Sequence, residues 1–170
     1  MPLSIHPQPL SLDELADMIR PPTRLAALDI GTKTIGIALS TPDWQLATPY
    51  TTIRRTKWSQ DLAALDTALA GYGIGGLIVG LPLNMDDSEG PQAQSVKQTV
   101  FNLLKAEPTW LQGGVAFWDE RLTTATAQDV LSENMSRFKA KAAGALDAMA
   151  AKIILESALN YLRNNLKKEK

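Results

Sequence analysis

Three acidic residues, Asp29, Glu120 and Asp147, stand out, each for a local reason. Asp29 closes an apolar run, Leu25 to Leu28, just before a short polar turn containing Gly31, Thr32, Lys33 and Thr34. A carboxylate ending such a run is costly unless it is solvated, hydrogen-bonded or bound to a cation. Glu120 lies between Asp119 and Arg121, directly after the apolar segment Val115 to Trp118. Asp147 falls in the middle of a helical stretch, and its neighbours three and four residues away are Ala143, Gly144, Ala150 and Ala151, none of which offers it a basic partner. Gathered together, such carboxylates repel one another and raise each other's pKa unless divalent cations hold them.

The rest of the composition narrows the chemistry. There is no cysteine, and the one histidine, His6, stands in a proline-containing N-terminal stretch. Disulfides, zinc-thiolate sites and thiol nucleophiles are therefore excluded, and Ser-His-Asp catalysis is disfavoured. Oxygen-only ligands suit Mg²⁺ or Mn²⁺. A carboxylate-bound pair of such ions is a device for in-line phosphodiester hydrolysis without a covalent intermediate. Asp119 is a supporting candidate, although an Asp-Glu-Arg triplet also reads as a surface ion-pair cluster.

Positioning these residues requires a sheet with helices against it. The run from Leu25 to Leu39 predicts strand, tight turn, strand, with Gly31 keeping the turn lean enough for close approach of a ligand. Gln45 to Ile53 offers a third strand whose Pro49 calls for an edge position or a bulge. Arg54, Arg55 and Lys57 follow it as a solvated loop, with a phosphate contact as the sharper alternative. Leu62, Leu65, Ala68 and Leu69 form a helical stripe ended by Gly71 and Gly73. Gly76 to Gly80 reads as a strand buried on both faces, opening into the polar loop Leu81 to Gly90. Ser88 is a candidate cap for the helix that begins near Pro91. After strand five, Val115 to Trp118, Thr123 or Thr124 caps a helix to about Leu131, with Asn134 at its exit. The last helix runs from about Lys139 to Leu162.

At the N-terminus, Ser11 and Glu14 form a capping box for a short helix to Ile19, which Pro21 and Pro22 terminate. Residues 1–23 thus read as an extension, 24–165 as one domain that carries all three acids and 166–170 as a charged tail. At 170 residues, 45% of them hydrophobic, the chain suits a single globular core. No apolar run approaches the roughly 20 residues that span a bilayer. A cytoplasmic protein with no membrane partner is the expectation. The net charge of −1 advertises no general affinity for nucleic acid, so such a partner needs a local basic patch.

Four segments together resemble the motifs of the YqgF/RuvX-type family: DIGTKTIGIA (Asp29 to Ala38), GLPLNMDDSEG (Gly80 to Gly90), DERLTT (Asp119 to Thr124) and DAMAAKIIL (Asp147 to Leu155). Members are described as Holliday junction resolvases and as pre-16S ribosomal RNA nucleases. The resemblance implies an α/β chain of ribonuclease H-like fold, a five-stranded mixed sheet flanked by helices, three antiparallel strands coming first. It implies Asp29, Glu120 and Asp147 as catalytic, metal-holding acids with Mg²⁺ or Mn²⁺. Lys33, Asn84, Arg121, Arg137, Lys139 and Lys141 are the candidates for contact with structured RNA or branched DNA, with ribosomal precursor particles as possible partners. Asp87 departs from the family pattern, which usually has glycine there, and Phe138 interrupts a segment commonly more basic. The chain would act as a monomer or a homodimer, since resolving a junction needs two active sites.

Two other classes compete. Actin-like kinases use an Asp-x-Gly-Thr hairpin, but they duplicate the fold into two lobes, which this length does not hold. A non-catalytic factor on ribosomal RNA or with the transcription machinery fits the acidic composition, yet clustered carboxylates are of no use to a mere phosphate binder.

Overall fold

The structure, a computed structural model, describes the backbone of residues 4–122 and 143–168 and the side chains of 4–122 and 146–165. Its centre is a five-stranded sheet in the order β3-β2-β1-β4-β5. β1 (Arg24–Ile30), β2 (Thr34–Ser40) and β3 (Ala47–Arg54) form an antiparallel meander, while β4 (Ile74–Leu81) and β5 (Leu111–Asp119) run parallel to β1. The carboxyl ends of β1, β4 and β5 therefore emerge on one side of the sheet, carrying Asp29, the 81–90 loop and Glu120 to the same edge.

Crossovers are helical, as parallel neighbours require. α2 (Trp58–Leu69) joins β3 to β4, and α3 (Pro91–Ala106) joins β4 to β5. These two cover one face of the sheet, where Leu65, Leu69, Val96, Val100 and Leu103 pack against Leu28, Ile37 and Val79. The opposite face is covered by α1 (Leu12–Met18) and α4 (Ala143–Lys168), through Leu15, Ala151, Ile154, Leu155 and Ala158. Every residue of β4 is buried, as the continuous apolar run anticipates for a central strand between two helical layers.

Several local expectations meet their physical outcome. The capping box is present, Glu14 N–H donating to Ser11 Oγ at 3.1 Å and Ser11 N–H to Glu14 Oε1 at 3.1 Å. β3 is an edge strand and also bulged, since Ile37 pairs with Thr51 but Ala38 with Pro49. Ser88 does not cap α3. Gly90 stands at that position with Pro91 in the first turn, and Ser88 Oγ is engaged by Asp86 and Asn84 instead. α2 begins at Trp58, a turn ahead of its apolar stripe, and α4 continues past Leu162 into the charged C-terminal stretch.

The segment before β1 contributes core of its own. Leu15 is fully buried, and the backbone N–H groups of His6 and Leu10 donate to the Gly113 and Val115 carbonyls at 2.8 Å each, covering the free edge of β5. Among the described residues no helix is long and apolar enough to cross a membrane.

Candidate functional site

Strand periodicity decides which side chains can meet. Along β1, Ala26, Leu28 and Ile30 enter the α2/α3 layer and Leu25 and Ala27 the α1/α4 layer, so the two-residue period carries Asp29 to the α4 face. Ile35, Ile37 and Leu39 of β2 face α2/α3, which leaves Thr34 and Gly36 facing α4. In β5, Ala116 and Trp118 lie on the α4 face, and Glu120 follows at once in a short 3₁₀ turn, Glu120–Leu122.

Asp29 and Gly36 are partners in the β1–β2 register. Over Gly36 the α4 backbone passes so closely that a Cβ there would lie 2.0 Å from the Asp147 carbonyl oxygen and 3.0 Å from the Ala148 nitrogen. The helix thereby crosses the sheet at the residue beside Asp29. Thr34 Oγ1 donates to Asp147 Oδ2 at 2.9 Å and fixes the direction of that carboxylate. A second close approach brings in Glu120: a Cβ on Gly80 would meet both Glu120 Oε1 and Ile154 Cδ1 at 2.6 Å.

Two of the three carboxylates feel a neighbouring acid. Burial, then the charge of Asp147, pushes Asp29 up to about 6. Burial, followed by the charges of Asp29 and Asp119, pushes Glu120 up to about 7. Among the described residues no three such groups already stand in one metal-ion shell, so Asp29, Glu120 and Asp147 are linked by charge rather than gathered on a point. Partly buried oxygen donors, Asp29 and Glu120 among them with raised proton affinity, are the set that a hard divalent cation relieves. On that chemistry the donors fit Mg²⁺ or Mn²⁺.

Asp119 behaves differently from its neighbour. Arg121 grips it in a fork, Nε to Oδ1 at 3.0 Å and Nη2 to Oδ2 at 2.7 Å, and these bonds hold the Asp119 carboxyl below the usual carboxylate range. The same guanidinium donates from Nη1 to the Asn84 carbonyl at 3.0 Å and from Nη2 to Asp87 Oδ1 at 2.8 Å. Arg121 thus ties the segment bearing Glu120 to the loop after β4. Asn84 is exposed, its amide donating to Ser88 Oγ at 3.0 Å, and Lys33 is exposed at the β1–β2 turn. Arg137, Lys139 and Lys141, like the helix from Thr123 or Thr124 and its Asn134 exit, lie outside the described residues.

Sequence reasoning missed the braces behind Asp29. Arg55 is a half-buried strut, not part of a solvated loop: Nη1 donates to the Gly31 carbonyl at 2.7 Å, and Asp61, itself buried, faces Nε at 3.8 Å. Gln92 Nε2 donates to the Ile30 carbonyl at 3.0 Å from the first turn of α3. Together they hold the two peptide units that follow Asp29. Gly36 and Gly80 were legible in principle, because glycines on the face that carries the acids mark where a helix backbone comes close.

A meander of three strands extended by two parallel strands, with helices on both faces and acids at the carboxyl ends, defines a ribonuclease H-like α/β protein. The family model described as RuvX, Holliday junction resolvase, matches residues 23–161, and the chain belongs to that family. A protein of Rhodobacter capsulatus named as a candidate pre-16S rRNA nuclease is 44% identical over 152 residues, covering 89% of this chain and 92% of its own. A relative of the same name from a Chelativorans species is 44% identical over 156 residues, 91% of this chain and 93% of its own. Thermus thermophilus RuvC shares the fold, with a TM-score of 0.53 at 11% identity over 84% of this chain and 97% of that one. RuvC of the same organism in complex with a Holliday junction gives 0.52 at 12% identity over 83% of this chain and 95% of that one.

Proposed function

We propose that this protein is a divalent-cation-dependent nuclease that hydrolyses phosphodiester bonds, acting in maturation of the 5′ end of pre-16S ribosomal RNA. The observation that supports the reading is the convergence of the three acids on the one face crossed by α4: the helix backbone passes at Asp147 over Gly36, the β1–β2 partner of Asp29, and Glu120 meets Ile154 of the same helix over Gly80. The relatives' names direct it to RNA, and the family description keeps branched DNA as the competing substrate.

In this reading Asp29, Glu120 and Asp147 hold Mg²⁺ or Mn²⁺, which when bound supplies an activated water and stabilises the leaving oxygen in an in-line displacement. The chain's own groups prepare that site. Thr34 aims the Asp147 carboxylate, and Arg55 and Gln92 keep the backbone after Asp29 from shifting. Gly36 and Gly80 let the helix and Glu120 approach the sheet. The single histidine of the chain, His6, lies beside Gly113 near the start of β5, so no imidazole serves this end of the sheet. Exposed Lys33 is suited to a substrate phosphate.

The test is cleavage of a pre-16S 5′-leader RNA and of a four-way DNA junction in Mg²⁺, by wild type and Asp29→Asn. Cutting of the RNA by wild type and its loss in the variant are expected. Cutting of the junction alone moves the substrate to branched DNA, and equal behaviour of the two proteins on both substrates contradicts a nuclease site at Asp29.

A further inference from the structure

The Arg121 guanidinium is engaged through all three of its nitrogens, but its partners are unequal. Asp119 takes Nε and one Nη2 proton from a half-buried position, whereas Asp87 takes Nη2 at 2.8 Å with a side chain that is 82% exposed. Asp87 sits in a turn closed by its own N–H donating to the Asn84 carbonyl at 3.0 Å, with φ of 67°. Asp86, whose charge also reaches Arg121, is committed elsewhere, its Oδ1 accepting from Ser88 N–H at 3.1 Å and from Ser88 Oγ at 2.5 Å. Among the described residues on this arginine, Asp87 is thus the replaceable carboxylate.

We propose that the Asp87 carboxylate occupies, on Arg121, the place of a substrate phosphate, so that Asp87 is a built-in competitor setting how tightly this side of the site holds a nucleic-acid backbone. A phosphate oxygen and a carboxylate oxygen offer the same planar fork the same kind of acceptor. When a phosphate takes over Nη2, Asp119 keeps the guanidinium oriented and the Asn84 carbonyl keeps it against the loop, so the exchange needs no refolding. Arg121 and Glu120 share one 3₁₀ turn, so the captured phosphate is held by the same turn that carries that acid. The inference rests on the nucleic-acid reading of the site and adds a residue that determines affinity.

Asp87→Asn is a clean probe, because asparagine tolerates a positive φ and removes only the charge. Binding is read by anisotropy of a fluorescein-labelled pre-16S leader RNA in EDTA, where no strand is cut. An exposed ion pair of this kind sets the scale, so Asp87→Asn and Asp87→Gly are expected to tighten binding roughly three- to fivefold, while Asp87→Glu stays near wild type. In an Arg121→Gln background the gain should vanish; Arg121→Met, which keeps the stem but removes the charge, serves if the glutamine variant melts below the assay temperature. An unchanged or weaker affinity in Asp87→Asn overturns the proposal, as does an equal gain without Arg121, which would be a general charge effect. Failure of folded wild type and Asp87→Asn alike to bind the RNA removes the nucleic-acid reading itself, a result distinct from binding that ignores Asp87.

Discussion

At the scale of single residues, ionised Asp29 and Glu120 cost the fold stability. A carboxyl group whose folded-state pKa lies above its unfolded value takes up a proton on folding, so its contribution is complete below the unfolded value and is lost as the pH rises. For Asp29 that window runs from 3.8 to about 6, and for Glu120 from 4.5 to about 7. In EDTA the protein should therefore lose stability between pH 4 and pH 7 on account of these groups, and Asp29→Asn should unfold at higher denaturant than wild type at pH 8, by on the order of 1–3 kcal/mol. Denaturant melts across that range check the sign, and a variant less stable than wild type at pH 8 would mean that the Asp29 charge is already satisfied within the fold. Thr34→Val removes the hydroxyl that aims Asp147. Cleavage should fall roughly tenfold, with little change in melting temperature.

At the scale of elements, the decisive contact is that of α4 with β2. Gly36→Ala sets a methyl group 2.0 Å from a helix carbonyl, and neither backbone yields without moving the helix. Overpacking of this kind costs about 1–3 kcal/mol or more, and because the displaced residue is Asp147, activity should fall further than stability does. Thermal melting alongside cleavage rates separates the two effects. The β1–β2 turn depends in the same way on α2 and α3. Arg55→Ala deletes the donor to the Gly31 carbonyl and leaves Asp61, 3% exposed, without its guanidinium neighbour, a loss of about 1–3 kcal/mol that denaturant unfolding would report.

Across the whole molecule, the sheet order and the two helical layers follow from patterns that single stretches display. Apolar runs bounded by turn residues mark the strands, and Gly76 to Gly80 announces a central one because burial on both faces leaves no polar alternation. Asp29 and Asp147 were visible because one ends an apolar strand and the other has no basic residue three or four positions away on its helix, and Glu120 because it directly follows an apolar strand. What the stretches do not display is anything built between distant segments. Arg55 looks like one of several loop cations until Gly31 and Asp61 are seen on either side of it. Arg121 looks like a free phosphate ligand until Asp119 and Asp87 occupy its fork. Ser88 looks like a helix cap because its side chain is of the capping type, but the carboxylate of Asp86 is a nearer partner.

The central claim is that Asp29, Glu120 and Asp147, from β1, the end of β5 and α4, serve one divalent-ion site. Calorimetric titration of the protein with Mn²⁺ tests it most directly, comparing wild type with Asp29→Asn, Glu120→Gln and Asp147→Asn. The account predicts saturable binding by wild type, weakened at least about tenfold by each substitution, with Asp119→Asn changed less because Arg121 already holds that carboxylate. Mn²⁺ binding that persists undiminished in all three variants would contradict it.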